Sequence, residues 1–199
     1  MAASREAEAP SAFLHALTSL RATCPRPEID LTEVPAPQRL APFAAALSAE
    51  VRAPGAGDED ADLATGRLVL LHDPAGVESW LGSFRFVAFA RAELEPEIAT
   101  DPMLSKVGWS WLIESLESRG AAFTAASGTV TQVVSEGFGA LAERPVSTQI
   151  EVRASWTPAD TAFGLHLEAW CDLLCTTAGL PPVQPGVVAI PGRSGSPKR

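Results

Sequence analysis

The chain has 199 residues, 46% of them apolar, and its 24 acidic against 15 basic side chains give a formal charge of −9. That balance opposes binding to a polyanion, which needs clustered basic surface, and no run approaches the roughly 20 apolar residues of a membrane-spanning helix. Neither nucleic acid nor a membrane is therefore expected as a partner.

Three cysteines, Cys24, Cys171 and Cys175, are too few and too unevenly placed for a disulfide framework, so reduced thiols are expected. Residues 1–8 lack the basic start and apolar centre of a signal peptide, and the expected location is the cytoplasm. Small and polar, residues 1–10 are expected to be disordered, and a single domain is expected over residues 11–180.

In that domain Phe13, Leu14, Leu17 and Leu20 recur at helical spacing, and Pro25 and Pro27 close the helix they predict. Pro25, Pro27, Pro35 and Pro37 then frame Glu28 to Val34, where Ile29 and Leu31 point to one side if the chain is extended. Two readings stay open here: a semi-rigid arm that docks on its own sheet or on another subunit, or a linker packing two side chains on the core. Pro42 suits the first turn of a helix reaching Arg52, with Leu40, Phe43, Leu47 and Val51 along one side. Residues 53–65, opened by a Pro/Gly/acidic run, are expected to form a mobile acidic loop.

From Gly66 to Gly120 the pattern reads strand (Arg67 to Leu71), turn (His72 to Gly76), strand (Phe84 to Arg91) and helix. Asp101-Pro102 opens that helix, Leu104, Val107, Trp111, Leu112 and Leu116 form its apolar stripe, and Gly120 ends it. The pattern is written again from Gly128 to Gly179. Thr129 to Val134 is a strand, Gly137-Phe138-Gly139 a turn, and Val146, Thr148, Ile150, Val152, Ala154 and Trp156 alternate with polar neighbours. Thr157-Pro158-Ala159-Asp160 reads as a capping box, Phe163, Leu167, Trp170, Leu174 and Ala178 as a buried stripe, and Gly179 as the end. Residues 181–199 form a Pro/Gly-rich tail. The expected fold is α+β: a mainly antiparallel sheet of four or more strands, built from two hairpin–helix (ββα) units, with helices on one face and N-terminal helices wrapping it.

Few constellations carry chemistry. Cys171 and Cys175 share a helix face, but His166 lies about 140° around the helix from Cys171, so no metal site is expected. His72 and Asp73 begin an acid–base pair, yet neighbours along a strand point to opposite faces. No phosphate-binding glycine loop or hydrolase motif occurs; no catalytic residue is assigned and no cofactor is expected. A strand face is more informative. If Phe84 and Phe86 point to the helices, then Arg85, Val87, Phe89 and Arg91 point away, as do Gln149, Glu151 and Arg153 on the neighbouring strand. Arg85, Phe89, Arg91 and Arg153, with Arg39 from the Pro-rich segment, are the expected binding residues, Arg giving planar charge-assisted contacts and Phe an apolar anchor.

The expected function is that of a non-catalytic binding or adaptor module whose partner is another protein or a second copy of itself. The alternative is a small-molecule sensor or enzyme with a pocket between the sheet and the Pro-rich arm, lined by Arg39, Arg85 or His72.

Through Arg26-Pro27-Glu28-Ile29, Pro37-Gln38-Arg39-Leu40-Ala41-Pro42 and Gly82-Ser83-Phe84-Arg85-Phe86-Val87, the chain resembles an uncharacterised family of actinobacterial proteins classed as a domain of unknown function. The resemblance runs from about residue 10 to residue 182. It implies a bacterial cytoplasmic protein and brings no activity, ligand or catalytic residue.

Overall fold

The computed structural model describes residues 9–53, 62–94 and 101–181. The expected disordered N-terminus, the acidic run of the 53–65 loop and the C-terminal tail fall almost wholly outside the described residues. Six strands form one sheet: β1 (Ile29–Val34), β2 (Phe43–Val51), β3 (Ala64–Val77), β4 (Gly82–Leu94), β5 (Phe123–Ser135) and β6 (Ser147–Pro158). Their order is β1-β2-β3-β4-β6-β5, and every neighbouring pair is antiparallel. Three helices, α1 (Ser11–Arg21), α2 (Leu104–Ser118) and α3 (Phe163–Thr177), complete an α+β fold. None of these helices is long and apolar enough to cross a membrane.

Period-two alternation explains which face of the sheet is buried. Leu68, Leu70, Phe86, Ala88, Ile150, Val152 and Trp156 join one core cluster with the apolar side chains of all three helices. Helix α3 sits at its centre, in contact with α1, α2 and strands β3, β4 and β6. That position explains why its burial reaches beyond one stripe: His166, Cys171 and Cys175 are enclosed along with Leu167, Trp170 and Leu174. The opposite sheet face carries a smaller cluster of Ala46, Val69 and Leu71, covered by Val34, Ala36, Ala41 and Trp80.

Four local expectations are corrected. Residues 43–51 form strand β2 instead of a helix. Alanine favours helix, but Phe43, Ala45, Leu47, Ala49 and Val51 all join the main core while Ala46 serves the other face, and pairing to β3 along all nine residues overrides propensity. The turn expected at His72–Gly76 lies later. Strand β3 continues to Val77 through irregular pairing after His72, and the chain reverses at Glu78–Trp80 with Leu81 at φ 57.

Both helix starts move as well. Helix α2 begins at Leu104, with Asp101 Oδ1 accepting from the Met103 amide at 2.8 Å. The Thr157–Asp160 capping box does not form, because β6 runs on to Pro158 and the Ala159 amide donates to Ala122 O at 2.8 Å. Both helix ends fall where the glycines predict. Gly120 and Gly179 have φ 66 and 72, and the residue after each donates back to Leu116 O and Cys175 O at 2.9 Å.

The two edges of the sheet differ. Strand β1 is six residues long, carries Asp30 and Glu33, and lies between Pro27 and Pro35. Strand β5 is 13 residues long and contains neither a charged residue nor a proline.

Candidate ligand sites

A cavity of about 910 Å³ opens between α1, strands β1–β3 and the connection formed by residues 35–42. Phe13, Leu17 and Leu20 of α1 form one wall, Ala45, Leu47, Leu68, Leu70 and Phe86 the floor, and Pro35, Pro37 and Pro42 the rim. On the floor β2 presents the small Ala45 beside Leu70, where a larger side chain would fill the space, and three prolines stiffen the rim. Among the described residues, its polar lining is confined to Arg21, Thr23, Glu33 and Gln38. Arg21 and Glu33 form a two-pronged ion pair, Nε to Oε1 at 2.7 Å and Nη2 to Oε2 at 3.2 Å, with both side chains about half exposed. Hydrogen bonding from Arg21 holds the Glu33 carboxyl below the usual carboxylate range. Among the described residues the lining offers one hydroxyl, Thr23, and no Ser, Cys, His or Lys.

Behind this wall are two buried histidines with fixed tautomers. The His72 ring stacks on Phe84 with centroids 4.0 Å apart and lies 5.9 and 6.1 Å from Phe13 and Phe43, which line the cavity. Its Nδ1 lies 2.9 Å from Ser83 O; a carbonyl only accepts, so Nδ1 carries the proton, and the buried Nε2 has no partner among the described residues. His166 takes the other tautomer. Its Nδ1 accepts from Trp156 Nε1 at 3.1 Å, which puts the proton on an Nε2 that also lacks a partner. Burial pushes the His166 pKa down to about 4.

The residues expected to bind lie in three surroundings. Phe89, Arg91 and Arg153 share the sheet face away from the main core. Arg153 stands opposite Phe89 in the ladder, its guanidinium 5.3 Å from the ring centroid, and pairs with Glu151 at 2.6 Å. Arg91 donates to the side chain of Gln149 through Nε and Nη2. Arg85 is on the same face but is only 7% exposed. Its Nη1 donates to Ala125 O at 2.9 Å and Thr157 Oγ1 at 3.1 Å, and its Nη2 to Ser127 Oγ at 3.2 Å and Ser155 Oγ at 2.7 Å. Arg39 is exposed on the 35–42 connection and lines neither the cavity nor the sheet face.

The alternative reading of the sequence sets a pocket between the sheet and the Pro-rich arm, with Arg39, Arg85 or His72 in its wall. The structure lines the cavity there with Arg21 and Glu33 instead. Arg21 was hidden because its position at the end of an amphipathic helix reads as plain surface.

No group of three or more potential metal-ligating side chains occurs among the described residues. Burial raises the Cys171 thiol to about 12 and the Cys175 thiol to about 11, while Cys24 is exposed.

A six-stranded antiparallel sheet with its helices in one shared core, and a largely apolar cavity beside α1, define an α+β domain. The chain belongs to the family described as "Protein of unknown function (DUF3000)", whose model matches residues 9–188. No curated protein and no solved structure matches it.

Proposed function

We propose that this protein is a non-catalytic binding protein for a small, mainly apolar molecule seated between α1 and strands β1–β3. The observation that carries the reading is the cavity itself. Its volume of about 910 Å³ falls within the roughly 300–1,000 Å³ of small-molecule sites, which are mostly apolar with a few placed polar groups. The Arg21–Glu33 pair at the wall gives such a ligand one charged end to meet, so an apolar body with a single polar head fits best. Strand–strand–helix occurs twice in the chain, and we read β3–β4–α2 and β5–β6–α3 as two like units, with α1, β1 and β2 added to build the cavity. An adaptor role through Arg91 and Arg153 is the weaker reading, because Gln149 and Glu151 already engage both guanidinium groups.

The test is a fluorescence titration with N-phenyl-1-naphthylamine, an uncharged aromatic probe with one polar group. Saturable one-to-one binding is expected, lost in Ala45→Phe, a variant that fills the floor while the circular dichroism spectrum stays unchanged. Binding that persists in a folded Ala45→Phe, or no saturable binding by the parent protein, overturns the proposal.

A further inference from the structure

The sheet face opposite the main core has its own concavity, and its walls follow from the strand register. Val69, Val87, Ser155 and Ser127 stand side by side across β3, β4, β6 and β5. The next row on the same face, two residues along each strand, is Arg67, Phe89, Arg153 and Thr129. On the other side of the small row stands Arg85, opposite Leu71. A line of short side chains between two lines of long ones makes a trough, and the space measures about 500 Å³.

The charges around this trough are unbalanced. Arg85 is nearly buried, and among the described residues its hydrogen-bond partners are all neutral oxygens: Ala125 O, Thr157 Oγ1, Ser127 Oγ, Ser155 Oγ and Ser155 O. A buried cation is ordinarily matched by a carboxylate. Here Asp73, two residues along β3 from Leu71, accepts from the Ala75 amide at 3.0 Å, and Glu151, a row beyond Phe89, is engaged by Arg153. The two serines transmit the imbalance. Each Oγ accepts from Arg85, and the two oxygens are 3.4 Å apart. At most one hydroxyl proton is used between them, so at least one is left over for an acceptor in the trough that both serines line. Arg67, whose Nη2 donates to the neutral Pro35 O at 3.1 Å, stands on the far side, with Phe89 beside it as an apolar wall and Arg153, paired with Glu151, beyond. In a chain of net charge −9 this is a local concentration of positive potential.

We propose that this trough is an anion site, taking a small molecule that bears one carboxylate or phosphate on a flat apolar group. The anion sits on the Ser127 and Ser155 hydroxyls, backed by Arg85, and the apolar group lies along Val87 and Phe89. The proposal is independent of the apolar cavity, which lies across the sheet.

The test is isothermal titration of the full chain with phenyl phosphate and with benzoate, with benzyl alcohol as the uncharged control. At least one anion is expected to bind saturably and more weakly as salt is raised, and benzyl alcohol is expected not to bind. Arg67→Gln, at an exposed position lining the trough, should weaken the anion about tenfold. Val87→Trp, also exposed, should abolish binding by filling the trough. Ala45→Phe should leave the affinity unchanged, which separates this site from the cavity. Equal binding of benzyl alcohol, binding unaffected by Val87→Trp, or no binding of either anion overturns the proposal. Binding of inorganic phosphate as tight as that of phenyl phosphate would remove the apolar part of the assignment and leave an adventitious ion only.

Discussion

The indole of Trp170 rests against the backbone of β3 at Gly66 and donates from Nε1 to Phe89 O at 3.3 Å. A Cβ at position 66 would meet Trp170 Cζ2 and Phe89 O at 2.8 Å and Leu174 Cδ2 at 2.7 Å. Helix α3 therefore lies as close to the sheet as it does because residue 66 has no side chain. Gly66→Ala must move the helix or the strand, since one of the three atoms is backbone, and overpacking of this kind costs about 1–3 kcal/mol. A urea unfolding midpoint lowered to match, with a native circular dichroism spectrum, is the expected outcome; an unchanged midpoint would show that the contact is soft.

His166 makes stability depend on pH. Its pKa is lowered by burial from 6.5 to about 4 in the folded protein, so between these values the unfolded chain binds the extra proton. The contribution is complete above the unfolded value and is lost as pH falls from about 6.5 towards 4. At 1.36 kcal/mol per unit it amounts to about 3 kcal/mol. His166→Asn keeps an acceptor near the Trp156 indole but cannot titrate. Urea unfolding at pH 7.5 and pH 4.5 should show a smaller acid loss in the variant than in the parent; equal losses would assign the acid sensitivity to the carboxylates.

The thiols should divide by burial. Cys24 is exposed, whereas Cys171 and Cys175 are buried with pKa values raised to about 12 and about 11. One fast equivalent of Ellman's reagent per native chain is expected at pH 8, and three in denaturant. Three fast equivalents in the native state would mean that α3 opens readily.

Much of the fold is legible in the sequence where one physical signal dominates. The alternation from Thr148 to Trp156 sets β6 and its buried face, and Gly120 and Gly179 mark both helix ends because a left-handed residue is needed there. Strand β2 is not legible, since Leu40, Phe43, Leu47 and Val51 satisfy a helical period while every second residue also satisfies a strand; only the partner, β3, decides. The site is legible in outline alone. Phe89, Arg91 and Arg153 fall on one face as their parity requires. That Arg85 is enclosed depends on β5 and its irregular pairing between Thr124 and Ser127, which brings Ala125 O and Ser127 within reach. The cavity depends on volume left unfilled at Ala45, and no single stretch of sequence records a volume.

Among the described residues the sheet has one flank guarded by charge and proline and one without either, which gives it a direction of growth. Acidic side chains and prolines at β1 repel a newcomer strand, while β5 offers 13 uncharged residues whose outward amides and carbonyls are a template for another backbone. At high concentration, losses during expression or storage should therefore begin on the β5 side. A single lysine there, as in Thr131→Lys, should slow them, while the same change at Thr32 on β1 should do little, as light scattering of the two variants would record.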